Sequence, residues 1–254
     1  MKEIISRGNH TIKELKKLQQ KKFRYQQRAF MVENIVTVKD AWQVSGVKPR
    51  VLFVTASVLS HHPWLEEVTK GGDIFVITPE VNEVASELDT PTGLVAVYDF
   101  IEHELDWETN FVYLNKVADP GNLGTILRSA AAFGIKNIVL DKGCVDLYNA
   151  KVIQAAKNAI FLCNFGFDQG NLWAELKSKM PVVTSIVTGG GGINFNTAGP
   201  ICLLIGSESH GADKELVEQA DHTISIPTSG AIESLNVGVA ASILFYELYK
   251  KNKD

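Results

Sequence analysis

Apolar residues recur along this chain in two rhythms, and the switches between them lay out its elements. From Phe111 onward, short, mostly apolar runs fall at 111–114, 137–140, 182–187, 201–205 and 223–226. Runs of this length, bounded by turn residues, predict strands buried on both faces. Between them, apolar residues return every three or four positions. Leu123, Ile126, Leu127, Ala130 and Ala131 mark one helical face, and Leu235, Val239 and Ile243 mark another. This βαβα alternation predicts an α/β fold with a mainly parallel sheet covered by helices. Pattern alone carries the second half to a Rossmann-like fold and no further.

The earlier residues mix the same signals. Ile12, Leu15 and Leu18 mark a helix face, and Phe30-Met31-Val32 is an apolar run. A helix is predicted over 36–44, with strands at 51–55, 74–78 and 94–98. Residues 101–109 are acidic and polar and read as a linker. The expected division is a first domain over 1–100, a linker over 101–109 and a second domain over 110–254.

Three strand-to-helix junctions concentrate polar chemistry. Residues 119–134 read D-P-G-N-L-G-T-I-L-R-S-A-A-A-F-G, with Asn122 at the helix mouth and Arg128 further along. Residues 201–213 read I-C-L-L-I-G-S-E-S-H-G-A-D; the strand ends at Gly206 and Glu208 lies in the turn beyond. Residues 226–240 read I-P-T-S-G-A-I-E-S-L-N-V-G-V-A. There a strand stops at Pro227, and Ser234-Leu235-Asn236 opens a helix with Ser234 as its expected N-cap. Small polar side chains and unpaired N–H groups so converge where α/β proteins place ligands.

Charge changes the picture of the N-terminus. The chain of 254 residues has a net charge of −4, which by itself disfavours nucleic acid. Residues 1–30, however, hold nine Lys or Arg and two Glu, so they carry +7 and the rest carries −11. Clustered cations of this kind neutralise phosphates and release counterions. Arg7, Lys13, Lys16, Lys17, Lys21, Lys22, Arg24 and Arg28 are the expected RNA-contacting residues. The plainer reading is a solvated helix face. Three cysteines without close spacing, Cys144, Cys163 and Cys202, point to reduced thiols and a cytoplasmic protein. No signal-peptide core and no apolar run of the ~20 residues needed to span a bilayer is found.

Other chemistries are weakly marked. Pro120-Gly121-Asn122-Leu123-Gly124 is not the G-x-G-x-x-G of a dinucleotide site. His61-His62-Pro63 has no spaced Cys or carboxylate partner, so a surface loop is expected and no metal. Four consecutive glycines, 189–192, read as a loop.

Together the three junctions resemble the SpoU (TrmH-type) family of SPOUT-class RNA 2′-O-ribose methyltransferases. The family's N-x-G-x-I-x-R is met by Asn122, Gly124, Ile126 and Arg128, and its G-x-E-x-x-G by Gly206, Glu208 and Gly211. Its third motif is met by Pro227, Gly230, Ser234, Leu235 and Asn236. The run K-F-R-Y-Q-Q-R-A-F-M-V-E over 22–33 resembles the opening of the ribosomal-protein-like α/β RNA-binding domain often attached to these enzymes. The resemblance implies a knotted (trefoil) SPOUT domain, a homodimer through it, and S-adenosylmethionine as cofactor without metal. Ribosomal RNA is favoured over tRNA as substrate.

It also implies roles. Leu204, Ile205, Gly206, Ser225, Ile226, Pro227, Ser234 and Leu235 would hold the cofactor largely through backbone groups. Residues 184–188 would border it. Arg128 would be the catalytic residue, with Asn122, Glu208, Ser234 and Asn236 orienting it, the ribose or the phosphate. A guanidinium keeps its proton, so stabilising a developing alkoxide or gripping the phosphate suits it better than base catalysis. His210 stands where the family often has Arg and would touch RNA. Ala150, Gln154, Lys157 and Asn158 depart from the family's pattern, in a segment tied to substrate contacts. The alternative is a non-catalytic RNA-binding or ribosome-assembly factor that keeps the fold.

Overall fold

The structure is a computed structural model, and it describes residues 1–68, 73–186, 192–195, 197–208, 210–231 and 233–251. Gly189, Gly190 and Gly191 of the glycine run, with Val187 and Thr188 before it, lie outside the described residues. The chain divides into two compact units. One holds Met1–Phe100 and Tyr148–Phe161; the other holds Ile101–Leu147 and residues 162 onward.

The first unit contains β1 (Lys2–Ile4), α1 (His10–Lys17), α2 (Lys21–Gln27), β2 (Ala29–Val32) and α3 (Ile35–Gln43). β3 (Val51–Thr55), α4 (Ala56–His61), α5 (Leu65–Val68), β4 (Asp73–Ile77), α6 (Pro79–Ala85) and β5 (Leu94–Asp99) follow. The sheet order is β1-β4-β3-β5-β2, with β5 antiparallel to both neighbours. Asn9 starts α1 by accepting from the Thr11 N–H at 2.8 Å. The predicted stripe Ile12, Leu15 and Leu18 is buried with Ile4 and Phe53. The basic N-terminus is therefore part of this core and not an arm that can be removed. His61 ends α4 and His62 caps it, where a loop was expected.

Two boundaries differ from the sequence reading. Residues 148–161, with α8 (Ala150–Ala156) and a 3-10 turn (Lys157–Phe161), belong to the first unit. Their rings explain it: Tyr148 stacks on Phe100 at 3.8 Å, and Phe161 lies 4.8 Å from Tyr98. Residues 101–109 are less a linker than an edge of the second core. Leu105 and Trp107 pack against it, and Asn137 bonds to Asp106 and Thr109.

The second unit contains β6 (Phe111–Leu114), α7 (Pro120–Ala132), β7 (Asn137–Leu140), β8 (Asn164–Phe167) and α9 (Leu172–Lys179). β9 (Val182–Ser185), β10 (Cys202–Ile205), α10 (Lys214–Glu218), β11 (His222–Ile224) and α11 (Val237–Lys251) complete it. Six parallel strands run in the order β11-β9-β10-β6-β7-β8. The chain winds outward from β6 through β7 to β8, then returns to build the other half. The order reverses between β6 and β10, so their carboxyl ends form the crevice where such sheets bind ligands.

Asp168 shows how polar groups are satisfied in this unit. It accepts the Tyr113 hydroxyl at 2.7 Å, the N–H of Gly170 just before α9, and the N–H groups of Leu172 and Trp173 that open that helix. Burial would raise its carboxyl pKa, but the N–H groups and the Tyr113 hydroxyl outweigh it and hold it below its usual value. The resulting stability is present above the ordinary carboxylate range and is lost as pH falls beneath it. Asp168→Ala removes a cap and orphans a buried hydroxyl, so a loss of roughly 2–4 kcal/mol is expected in urea unfolding at neutral pH. A loss below about 0.5 kcal/mol would contradict this account.

The three cysteines are free, and burial pushes each thiol up to about 12. No described helix is long and apolar enough to cross a membrane.

Candidate active site

Asp119 fixes the start of α7. Its carboxylate accepts the Asn122 N–H at 2.7 Å, and Pro120 takes the first helical position. Asn122 is thereby held at the carboxyl end of β6. From the neighbouring β10, the chain turns back on itself: Ser207 and Gly211 exchange two backbone bonds of 2.9 Å. This turn puts Glu208 beside Asn122. From a third loop comes Asn236.

The three side chains close a ring. Asn122 Nδ2 donates to Glu208 Oε2 at 2.9 Å. Asn236 Nδ2 donates to Asn122 Oδ1 at 2.8 Å and to Glu208 Oε1 at 3.1 Å. Asn236 Oδ1 in turn accepts the N–H groups of Gly238 and Val239 and caps α11. The expected N-cap Ser234 is therefore corrected: α11 starts at Val237 and its cap is Asn236. A single carboxamide serves both the cap and the ring, and that selects Asn236 over the earlier hydroxyl.

A latch, not read from the sequence, holds the Glu208 turn from below. Asn115 is only 2% exposed. Its Oδ1 accepts the Asp213 N–H at 2.8 Å, and its Nδ2 donates to Asp213 at 3.1 Å and Asp141 at 2.8 Å. Lys116 adds an ion pair to Asp213 at 2.5 Å. The Lys116 ammonium first, then Asn115, hold the Asp213 carboxyl below its usual range.

Beside the ring opens a cleft of about 120 Å³. Ile205, Gly206, Ile226, Ser234 and Leu235 line it, five of the eight residues expected at the cofactor. Leu204 is instead buried inside β10, and Pro227 is exposed and outside the lining. Ser225 is buried, with its N–H bonded to the Gly192 carbonyl at 3.2 Å. Ser185 and Ile186 of the expected bordering stretch line the cleft, whereas Thr184 is fully buried in the sheet. Val237, which follows the third motif, lines it too, as do Thr228, Glu233 and Leu244, which had not been expected there. The walls are mostly apolar side chains and backbone, with Glu208 and Glu233 as the carboxylates. That donor set fits an adenosine joined to a cationic amino-acid chain: apolar walls for the base, backbone groups for its edges, carboxylates for the positive charge.

Arg128 does not join the ring. It is exposed on α7 and makes no hydrogen bond or ion pair among the described residues. His210 is exposed in the Glu208 turn. Among the expected RNA contacts, Arg24 is a correction. It is 5% exposed, and its guanidinium donates to the carbonyls of Leu18 and Gln19 at 2.9 and 2.8 Å. It ties the end of α1 to α2 and is not available to a phosphate. Lys13, Lys16, Lys21, Lys22 and Arg28 are exposed; Arg7 and Lys17 pair with Glu83 and Glu14. Such surface pairs contribute little and exchange readily. Among the described residues, no group of three or more His, Cys, Asp or Glu could hold a metal ion.

The sheet and its crevice are those of the SPOUT methyltransferases. The crystal structure of an AdoMet-bound rRNA methyltransferase from Sinorhizobium meliloti superposes with a TM-score of 0.86, at 28% identity and 98% coverage of both chains. A model of the SpoU rRNA methylase family matches residues 109–246, and one of the MRM3-like substrate binding domain matches residues 9–96. The 23S rRNA (guanosine(2553)-2′-O)-methyltransferase RlmP of Bacillus subtilis is 30% identical over 98% of this chain and 99% of its own length. Mitochondrial rRNA methyltransferase 3 of Xenopus laevis is 27% identical over 89% of this chain and 70% of its own. The chain belongs to the SpoU rRNA methylase family.

Proposed function

We propose that this protein transfers a methyl group from S-adenosylmethionine to a ribose 2′-hydroxyl of ribosomal RNA. The observation that carries the reading is the closed ring of Asn122, Glu208 and Asn236 at the switch point, beside a cleft walled by backbone and apolar groups. The cofactor supplies a methyl group already activated on a sulfonium. The chain has to hold it, exclude water and align the hydroxyl. Ile205, Gly206, Ile226, Leu235 and Leu244 wall the cleft and keep water out. The ring holds Glu208 in place through both of its carboxylate oxygens. Arg128 stabilises the charge that develops on the attacking oxygen or grips the adjacent phosphate.

A homodimer through the second unit supports this division of labour. The apolar stripe Leu235, Val239 and Ile243 is not the buried face of α11. Val237, Ala241, Leu244, Phe245 and Leu248 are buried instead, while Val239 and Tyr246 are each 47% exposed. This second apolar face is suited to an identical copy, and Arg128 then serves the partner's cleft. The knot belongs to the same reading, as do the assignment of residues 1–100 to RNA binding and a cytoplasmic location.

Two measurements test the proposal. Titration calorimetry with metal-stripped protein should show S-adenosylmethionine binding. Ribosomal RNA from cells with and without the protein should differ in 2′-O-methyl sites. No binding at millimolar cofactor, or identical methylation maps, would remove it.

A further inference from the structure

We propose that Tyr25 and Phe100 form a stacking platform for one unpaired nucleobase, with Lys21 and Arg28 holding its flanking phosphates. The inference rests on the RNA reading above and gives the first unit a chemical task beyond charge.

A lone exposed tyrosine carries no meaning. Tyr25 is 43% exposed, but it is not alone. Its ring meets Phe100 at 5.2 Å and 82°, and Phe100 stacks on Tyr148 at 3.8 Å and 12°. The column of rings braces Tyr25 at the surface. Two cations flank the column. The Lys21 ammonium lies 5.5 Å from the centre of the Tyr25 ring, and the Arg28 guanidinium 5.7 Å from that of Phe100. Both are within the range of cation–π attraction. The backbone fixes this arrangement: the Phe100 N–H donates to the Arg28 carbonyl at 2.9 Å, and the Arg28 N–H closes α2 on Arg24. The carboxylate of neighbouring Asp99 is neutralised by Arg50.

Braced rings beside cations, in a segment of charge +7, suit a nucleotide. Every base offers a π-face to such a ring, and arginine-flanked aromatics are how single-stranded RNA is gripped. A stacked base lies away from a duplex, so the platform would select a looped or bulged strand.

The test uses the full chain and a short RNA carrying 2-aminopurine, single-stranded and as a duplex. Wild type should bind the single strand and quench the probe. Tyr25→Leu keeps apolar packing on Phe100 but offers no π-face. It should weaken single-strand binding about tenfold or more and abolish quenching, with the salt dependence unchanged. Tyr25→Phe should stay within about twofold of wild type. Lys21→Gln should instead lower the salt slope by about one. Duplex binding and cofactor affinity should not move with Tyr25. If Tyr25→Leu binds the single strand as wild type does, or loses duplex binding equally, the platform is wrong while RNA binding stands. If wild type binds neither RNA, the RNA reading itself fails.

Discussion

Arg128→Ala should be nearly inactive in methyl transfer while keeping its cofactor affinity. Arg128 lies six residues beyond Asn122 on α7, about 9 Å along the axis and well round the helix from it. It neither lines the cleft nor touches the ring. Its removal therefore leaves the cofactor walls intact. If it stabilises charge present only in the transition state, its loss falls on turnover and not on binding. One such donor is commonly worth roughly 3–4 kcal/mol, on the order of a hundred- to a thousand-fold in rate. Arg128→Lys should recover little, because an ammonium cannot form the bidentate fork. Single-turnover transfer with saturating RNA reads the effect, and near-normal rates would make Arg128 a surface residue only. The proposed dimer can be tested in the same assay. Arg128→Ala mixed with Asn236→Ala should regain about a quarter of the wild-type rate if each site draws on both subunits, and nothing if each subunit is self-sufficient.

The sequence was legible where physical demand is uniform along an element. β6 and β7 are buried on both faces, so Phe111–Leu114 and Ile138–Leu140 appear as unbroken apolar runs. β1 has two exposed residues of three, and β8 carries Asn and Gly at an edge of the sheet; neither leaves such a run. The same contrast holds at the site. Asn122, Glu208 and Asn236 stood out as polar residues at strand ends, each by its own motif. Asn115 and Asp213 did not, because the latch exists only through the fold: its partners are 98 residues apart and belong to no motif. Arg24 reads as one more cation in a basic run until its partners, two main-chain carbonyls, are seen. Side chains answering to backbone are the least visible in sequence, since any residue supplies a carbonyl. That is also why Ser234 read as the cap until the ring showed Asn236 in that place.

Gly206→Ala should disable the cofactor site more thoroughly than any side-chain deletion within it. A Cβ at Gly206 would sit 1.8 Å from Ala212 N, 1.9 Å from Gly211 C and 2.4 Å from Ala212 Cα. These are backbone atoms, so no rotamer change relieves the clash. The returning strand of the Glu208 turn would have to retreat by about 1.5 Å to reach ordinary contact. It is not free to do so. The Ser207–Gly211 bridge ties it on one side, and the Asn115–Asp213 latch on the other. Either a tie breaks or Glu208 leaves the ring, ending its bonds to Asn122 and Asn236. Overpacking of this kind costs roughly 1–3 kcal/mol of stability or more. Because Gly206 and Ser207 themselves wall the cleft, cofactor affinity should fall at least about a hundredfold, near 2.7 kcal/mol. Gly211→Ala is the control. Its φ is +68°, yet a Cβ there meets nothing within 4 Å, so only the left-handed backbone cost of about 1–2 kcal/mol applies. Calorimetry with S-adenosylmethionine on the two variants, each shown folded by its urea transition, separates close approach from backbone conformation. Gly206→Ala binding within about threefold of wild type would mean that the turn yields, and that the latch does not hold Glu208 in place.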